Sequence, residues 1–158
     1  MSKSVILPGS YDPVTVGHLE IIREASRLYD EVFVVAFINP DKKYLFTPEE
    51  RLSMLRVATE DIRGVRIDFS EGLVIDYVRE KGIDEILKGY RNDQDLEYER
   101  KMARWNKENG GVDTVFLKCR QEYSSVSSTA VREAIASGRV PRELLPVGVG
   151  DFIAKKFL

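Results

Sequence analysis

The sequence predicts an α/β protein with a doubly wound, five-stranded parallel sheet. Five short apolar runs, rich in β-branched residues, alternate with longer stretches whose apolar residues recur at helical spacing. Parallel strands need crossover connections and are buried on both faces, which accounts for this alternation. The 158 residues are expected to form one domain, 1–158, because this length buries one core without disulfides or structural metals.

The predicted elements follow one another along the whole chain. In the first helix, Ile21, Ala25 and Leu28 recur at steps that place them on one face. The second helix begins after Thr47, a capping hydroxyl, with Pro48 in the first turn and two acids after it. The predicted strands are 4–7, 31–38, 65–69, 85–87 and 114–117, and the predicted helices are 17–29, 48–62, 73–81, 93–108, 128–136 and 147–157.

The composition argues against several classes of protein. With 43% hydrophobic residues, 32% charged residues and a net charge of -2, the chain resembles soluble globular proteins and lacks the basic surface that nucleic-acid binding needs. Its one cysteine, Cys119, excludes a disulfide framework and is expected to be a packing residue. No apolar run of about 18 residues could span a bilayer, and residues 1–7 show no signal segment. We expect a cytoplasmic protein with no nucleic-acid or membrane partner.

The loop after the first strand is the first candidate site, because ligands of open α/β sheets bind beyond the carboxyl ends of the strands. Residues 8–18 read PGSYDPVTVGH, which matches neither GxGxxG nor GxxxxGK. A glycine turn, a hydroxyl and the free amides of a helix N-terminus still suit an anion. His18, the one histidine of the chain, falls in the first helical turn and is expected to face the cleft. The alternative is a solvated or capping histidine beside glycines that only allow tight turns.

Three further segments carry candidate residues. Residues 126–132, VSSTAVR, place hydroxyls and free amides at a helix N-terminus, which suits phosphate but is also an ordinary helix cap. Lys42, after the second strand, is either a ligand-binding or a solvated lysine, and its neighbour Lys43 is easily confused with it. In the fourth helix, residues at steps of three and four share a face that is either a binding surface or a core stripe: Asp95, Tyr98, Glu99, Met102, Trp105 and Asn106.

Together these segments resemble a known superfamily. The first loop resembles the TxGH form of the HxGH signature of nucleotidyltransferases, and VSSTAVR is similar to their ISSTxxR motif. Residues 87–99, LKGYRNDQDLEYE, resemble the RGLRxxxDFEYE segment of bacterial phosphopantetheine adenylyltransferases, and residues 39–51 resemble their SPxKKxxFTxEER segment. The resemblance runs from the first strand to the last helix and implies a Rossmann-like nucleotidyltransferase fold. Lys88, Tyr90 and Leu96 depart from the pattern, which has arginine, leucine and phenylalanine there.

The resemblance implies transfer of the AMP part of ATP to 4'-phosphopantetheine, with Mg2+ bound through the ATP phosphates and no protein metal ligand. The implied catalytic residues are His18, Lys42 and Arg91. The implied ATP-binding residues are Ser10, Tyr11, His18, Gly89, Tyr90, Arg91, Glu99, Tyr123, Ser124, Ser125, Val126, Ser127, Ser128 and Thr129. The implied acceptor-binding residues are Ser10, Lys42, Leu73, Val74, Lys88, Met102 and Asn106.

The resemblance also implies a homohexamer, with coenzyme A as a feedback ligand of the same cleft. Neither property can be read from the residues themselves. A nicotinamide-mononucleotide adenylyltransferase is the nearest alternative, although it would not be expected to carry the helix with DLEYE at 95–99 or the lysine-containing loop within 39–51. A cytidylyltransferase and a non-catalytic nucleotide-binding module are the further alternatives; a module would not need His18, Lys42 and Arg91 together.

Overall fold

The computed structural model describes residues 3–157, which form a sheet with helices on both faces. The strands are β1 (Ser4–Gly9), β2 (Glu31–Phe37), β3 (Val65–Ser70), β4 (Glu85–Tyr90) and β5 (Asp113–Lys118). The helices are α1 (Val16–Leu28), α2 (Pro48–Thr59), α3 (Val74–Lys81), α4 (Asp93–Gly110), α5 (Ser128–Ala136) and α6 (Val147–Phe157). All strand pairs are parallel, in the order β3-β2-β1-β4-β5.

The predicted α/β class and its five parallel strands are confirmed, with small differences at the ends of elements. β4 continues beyond its predicted end, because Gly89 and Tyr90 pair with Leu117 and Lys118 of β5. α2 stops at Thr59 instead of 62, where the chain turns. The 3-10 turns Gln121–Tyr123 and Arg142–Leu144 were not predicted. The single domain over 1–158 stays a prediction, and residues 1, 2 and 158 lie outside the described part.

Alternate side chains of the central strand serve two different cores. Val5 and Leu7 of β1 belong to a core with buried residues from α1, α2, α5 and α6, whereas Ile6 belongs to the core beneath α3. α4 packs on α3, β4 and β5 without burying any residue fully. The sheet is therefore doubly wound. Within residues 3–157, no helix is long and apolar enough to cross a bilayer.

The strand order brings three helix N-termini to one place. The chain moves outward from β1 to β3 and then returns to β4 on the other side of β1, so the direction reverses between β1 and β4. The N-cap residues of α1, α4 and α5 are Thr15, Asn92 and Ser127, and each of these side chains accepts a backbone N–H of its own helix. Such a reversal is where ligands of open α/β sheets bind.

Candidate active site

Two cavities adjoin at this reversal. The histidine cavity has a volume of about 270 Å³ and lies between β1, β4 and the starts of α1 and α5, with His18 in its wall. The lysine cavity has a volume of about 640 Å³ and lies between the loops after β1, β2 and β3 and the side of α4, with Lys42 in its wall. Four residues line both cavities: Pro8, Gly9, Lys88 and Glu99.

Most of the predicted ATP-binding residues line the histidine cavity. They are Tyr11, His18, Gly89, Tyr90, Arg91, Glu99, Tyr123, Val126, Ser127 and Ser128. Ser10 lines the lysine cavity instead. Ser124 and Ser125, in the turn before α5, and Thr129, in its first turn, are exposed and line neither cavity. At Gly89 a Cβ would approach Ile21 of α1 to 2.9 Å, so a side chain there would crowd the wall.

Every predicted acceptor-binding residue lines the lysine cavity. They are Ser10, Lys42, Leu73, Val74, Lys88, Met102 and Asn106. The six residues predicted to share one face of α4 spread over an arc of roughly 120° around the helix, so they do not all line the lysine cavity. Tyr98, Glu99, Met102 and Asn106 line the cavity, whereas Trp105, at the edge of the arc, lines neither cavity.

His18 is held in one orientation by the first turn of α1. Its Nδ1 accepts the backbone N–H of Thr15 at 3.0 Å, while the Thr15 hydroxyl accepts the His18 N–H at 3.3 Å. Burial, with the positive charges of Lys88 and Arg91 added, lowers the pKa of His18 to about 4. The ring is therefore neutral at pH 7 and carries its proton on Nε2. His18 is therefore both a capping residue and a cavity-lining residue. Its Nδ1 takes part in the helix cap, and its Nε2–H is the donor left for the cavity.

The loop between β1 and α1 is tied to two distant segments. The carboxylate of Asp12 accepts the backbone N–H groups of Leu45 and Phe46 at 2.8 and 2.9 Å. Arg132 of α5 donates to the carbonyl oxygen of Asp12 at 2.9 Å. Sequence reasoning did not single out Asp12, because no spacing rule links it to residues 33, 34 and 120 positions away. These bonds fix the loop that carries Tyr11 and leads to His18.

The three hydroxyls at the start of α5 have different partners. Ser128 donates to the carbonyl oxygen of Pro13 at 2.7 Å, and the Thr129 oxygen accepts from Arg132 at 3.1 Å. The Ser127 oxygen caps the helix by accepting a first-turn N–H at 3.0 Å, which leaves its own hydrogen to donate. Ser127 and the free amides of the first turn are thus the groups best placed to bind an anion in the histidine cavity.

Comparison with known proteins agrees with this geometry. The profile of the cytidylyltransferase-like family matches residues 6–134. Phosphopantetheine adenylyltransferase of Symbiobacterium thermophilum is 45% identical over 153 residues, which cover 96% of this chain and 94% of that protein. The enzyme of the same name from Clostridium novyi is 44% identical over 142 residues, 89% of this chain and 88% of that protein. The chain belongs to the phosphopantetheine adenylyltransferase family.

A more distant likeness concerns the fold alone. A bifunctional NMN adenylyltransferase/ADP ribose pyrophosphatase from Francisella tularensis superposes with a TM-score of 0.72 at 17% identity. The match covers 98% of this chain and 49% of that one, so this chain spans about half the length of the bifunctional protein. The superposition supports the Rossmann-like nucleotidyltransferase fold of this phosphopantetheine adenylyltransferase family member.

Lys88 and Arg91, the two cations of segment 87–99 that line the histidine cavity, are each paired with an acid. Lys88, where the phosphopantetheine adenylyltransferase pattern has arginine, lies with its Nζ 3.5 Å from a Glu99 carboxylate oxygen and 3.3 Å from the Pro8 carbonyl oxygen. Arg91 donates from Nε to Asp95 at 2.9 Å. Sequence reasoning placed Asp95 on the α4 face but did not foresee this pairing. A bound anion must share or displace these carboxylates.

Proposed function

We infer that the chain transfers the adenylyl group of ATP to 4'-phosphopantetheine, giving dephospho-coenzyme A and pyrophosphate. The observation that carries this inference is a pair of adjoining cavities in a chain 45% identical to a phosphopantetheine adenylyltransferase over nearly its full length. The histidine cavity offers helix N-termini and cations suited to a triphosphate. The lysine cavity offers a cation and apolar side chains suited to a phosphorylated, extended acceptor.

The reaction exchanges one phosphorus–oxygen bond for another. An oxygen of the acceptor phosphate attacks the α-phosphorus of ATP, and the bond from that phosphorus to the oxygen that leads to the β-phosphorus breaks. The acceptor phosphate has a second pKa of about 6, so it is largely dianionic at neutral pH and needs no general base. The protein has to align two repelling anions and stabilise the charge that develops between them.

The proposed catalytic groups are divided between the two cavities. Nε2–H of His18 is proposed to donate to the α-phosphate oxygens, more strongly as charge develops there. Ser10, Lys42 and Lys88 are proposed to hold the attacking phosphate. Support comes from their positions, since His18 lines one cavity, Ser10 and Lys42 line the other, and Lys88 lines both.

The remaining proposed contacts divide between the nucleotide and the acceptor arm. Arg91 and the turn 127–129 are proposed to receive the departing pyrophosphate, with Glu99 helping to hold the nucleotide. The further proposed nucleotide contacts are Tyr11, Gly89, Tyr90, Tyr123, Ser124, Ser125 and Val126. The acceptor arm is proposed to contact Leu73, Val74, Met102 and Asn106.

Mg2+ is proposed to bind through the ATP phosphates. The acids that line the histidine cavity are Asp95 and Glu99, and both face cations, Arg91 and Lys88. Direct ligation would require these ion pairs to open, whereas Mg2+ commonly keeps several waters and binds substrate phosphates. When bound, the ion neutralises charge on the triphosphate. No protein ligand is proposed.

Four further properties are proposed with the function: a cytoplasmic location, a homohexamer, a single domain and feedback by coenzyme A. The family resemblance supports a cytoplasmic homohexamer, and 158 residues are proposed to act as one nucleotidyltransferase domain in each copy. Coenzyme A is proposed as a feedback ligand, because it contains the pantetheine arm that the lysine cavity would hold.

The test is pyrophosphate release from ATP and Mg2+ with three acceptors: 4'-phosphopantetheine, nicotinamide mononucleotide and glycerol 3-phosphate. We expect release with 4'-phosphopantetheine alone, with dephospho-coenzyme A identified by mass spectrometry. Release with nicotinamide mononucleotide alone would favour the nicotinamide alternative, and release with glycerol 3-phosphate alone a cytidylyltransferase-like acceptor. A protein that binds ATP but releases no pyrophosphate would be a binding module.

A further inference from the structure

Arg51, in the first turn of α2, is a buried cation with few partners. Its residue is 1% exposed, and its Nη1 donates to the carbonyl oxygen of Ser10 at 3.0 Å. Its guanidinium carbon lies 4.1 Å from the centre of the Tyr44 ring. Nε and Nη2 are also buried and have no hydrogen-bond partner within residues 3–157. Burying a cation with unpaired donors destabilises a fold, so packing alone does not account for arginine here.

The two partners of Arg51 belong to different loops of the lysine cavity. Ser10 lies in the loop after β1, and Tyr44 closes the loop after β2. The Tyr44 hydroxyl accepts the backbone N–H of Asn39 at 2.8 Å, and the Asn39 carbonyl accepts the N–H of Lys42 at 3.0 Å. The guanidinium therefore joins the backbone of Ser10 to the ring that holds the Lys42 loop closed.

The connection matters because one phosphate has to reach both loops. Ser10 and Lys42 line the same cavity but are 32 positions apart in the sequence, and the side chain of Lys42 is exposed. A planar guanidinium can donate at its edge and stack at its face at once, which fixes two neighbours relative to each other. Lysine would keep the charge and lose this geometry.

We propose that Arg51 is a positioning residue for the acceptor: it holds Ser10 and the Lys42 loop at the separation that lets both bind the attacking phosphate. The inference rests on the proposed function. Arg51 lines neither cavity and acts only through Ser10 and Tyr44.

The experiment compares Arg51→Met and Arg51→Lys with Thr59→Ala, which removes a buried hydroxyl two turns further along the same helix. Steady-state rates are measured at saturating ATP with varied acceptor, and ATP affinity is measured by calorimetry without acceptor. We expect kcat/KM for the acceptor to fall on the order of 10- to 100-fold in Arg51→Met and Arg51→Lys, because a misplaced binding group costs about this much. ATP affinity should change less than about 3-fold. Thr59→Ala should lower the melting temperature without this difference between the effects on acceptor kcat/KM and on ATP affinity.

Two further variants test the route of the effect. In a Lys42→Ala background, Arg51→Met should cost less than it does in the wild type, since one of the two groups whose separation Arg51 sets is already gone. Tyr44→Phe keeps the ring against Arg51 and removes only the hydroxyl bond to Asn39, so its loss should be smaller than that of Tyr44→Leu. Additive losses with Lys42→Ala would overturn the proposed role.

The experiment distinguishes a wrong role for Arg51 from a wrong assignment of the acceptor. The kinetic comparison uses whichever acceptor supports pyrophosphate release by the wild type, so a wrong acceptor assignment appears in the wild type alone. Amide hydrogen exchange gives a readout that needs no turnover: Arg51→Met should speed exchange at Asn39 and Lys42 more than Thr59→Ala does. Equal exchange in the two variants, or equal losses of ATP and acceptor affinity, would leave Arg51 a merely structural residue.

Discussion

The two cavities differ in how their walls are held. Beside the histidine cavity, Thr15 and Tyr11 are 1% and 5% exposed; the Tyr11 hydroxyl donates to the Leu7 carbonyl oxygen of β1, and the Thr15 N–H donates to His18 of α1. In the lysine cavity, Tyr98, Leu73 and Met102 are 64%, 53% and 45% exposed. The wall of the histidine cavity is fixed before any ligand arrives, whereas the side of the lysine cavity formed by Leu73, Tyr98 and Met102 consists of exposed side chains that can rearrange around an arm. Changes in the first wall should therefore act on turnover, and changes in the second on acceptor affinity.

The strongest test of this difference is His18→Ala. It removes the donor proposed to act on the α-phosphate, so kcat should fall about 10²- to 10³-fold, as for loss of an oxyanion donor. ATP affinity, measured by calorimetry, should change much less. If ATP affinity and kcat fell by the same factor, His18 would bind ATP in the ground state as strongly as in the transition state. The proposed difference between the histidine cavity and the lysine cavity would then be wrong.

Lys42→Ala tests the other cavity, with its neighbour as a matched control. Removing the charge should lower kcat/KM for 4'-phosphopantetheine about 10- to 100-fold, since a charge-assisted bond to the phosphate is lost. Lys43→Ala removes the same charge from a side chain that lines neither cavity and should change kcat/KM less than about 3-fold. The reverse ranking would mean that Lys43 holds the phosphate.

The fixed neutral state of His18 can be tested through stability. Its folded-state pKa of about 4 is below the unfolded value of 6.5, so the unfolded chain binds more protons between these values. The stabilising contribution is complete above pH 6.5 and is lost as pH falls towards 4. Between pH 7 and 5, urea unfolding of the wild type should lose up to about 2 kcal/mol more than His18→Asn. NMR of the chain's one imidazole should show the Nε2–H tautomer; a titration near 6.5 would contradict the fixed wall.

The smallest effect is expected for a residue of the lysine cavity whose exposed side chain can rearrange around the acceptor. Met102 and Trp105 are 45% and 43% exposed on α4, but only Met102 lines the lysine cavity. Met102→Ala should raise the KM for 4'-phosphopantetheine about 2- to 5-fold with little change in kcat, because one apolar contact is lost. Trp105→Ala should leave KM unchanged. A larger effect of Trp105→Ala would place the acceptor arm on another side of α4.

Local chemistry allowed much of the fold to be predicted. The start of α2 was predicted from Thr47 and Pro48, and the structure has Thr47 as N-cap: its hydroxyl accepts the Glu50 N–H, and the Glu50 carboxylate accepts the Thr47 N–H. Apolar runs located all five strands, because strands buried on both faces have few polar interruptions. Many residues of the two cavities were predicted by family resemblance, although the predicted Ser124, Ser125 and Thr129 line neither cavity, and the proposed roles stay predictions.

Long-range pairing could not be predicted from one sequence. The end of β4 depends on its ladder with β5, so the predicted end at Leu87 falls three residues short of Tyr90. The bond from Arg51 to Ser10 joins residues 41 apart, and the bond from Arg132 to Asp12 joins residues 120 apart. Arginines in helices are usually solvated, so neither side chain gave a local signal of its role.

The central position of β1 has a consequence for synthesis of the chain. β1 pairs with β2 on one side and with β4 on the other, and β4 ends only at Tyr90. At about 5–20 residues per second, the β4-facing edge of β1 stays open for roughly 4–16 s after β1 itself is made. An apolar strand with an open edge readily pairs with strands of other chains. Newly made chains are thus expected to be most prone to aggregate before β4 arrives, and slower translation of the segment between β2 and β4 would prolong the exposure of this edge.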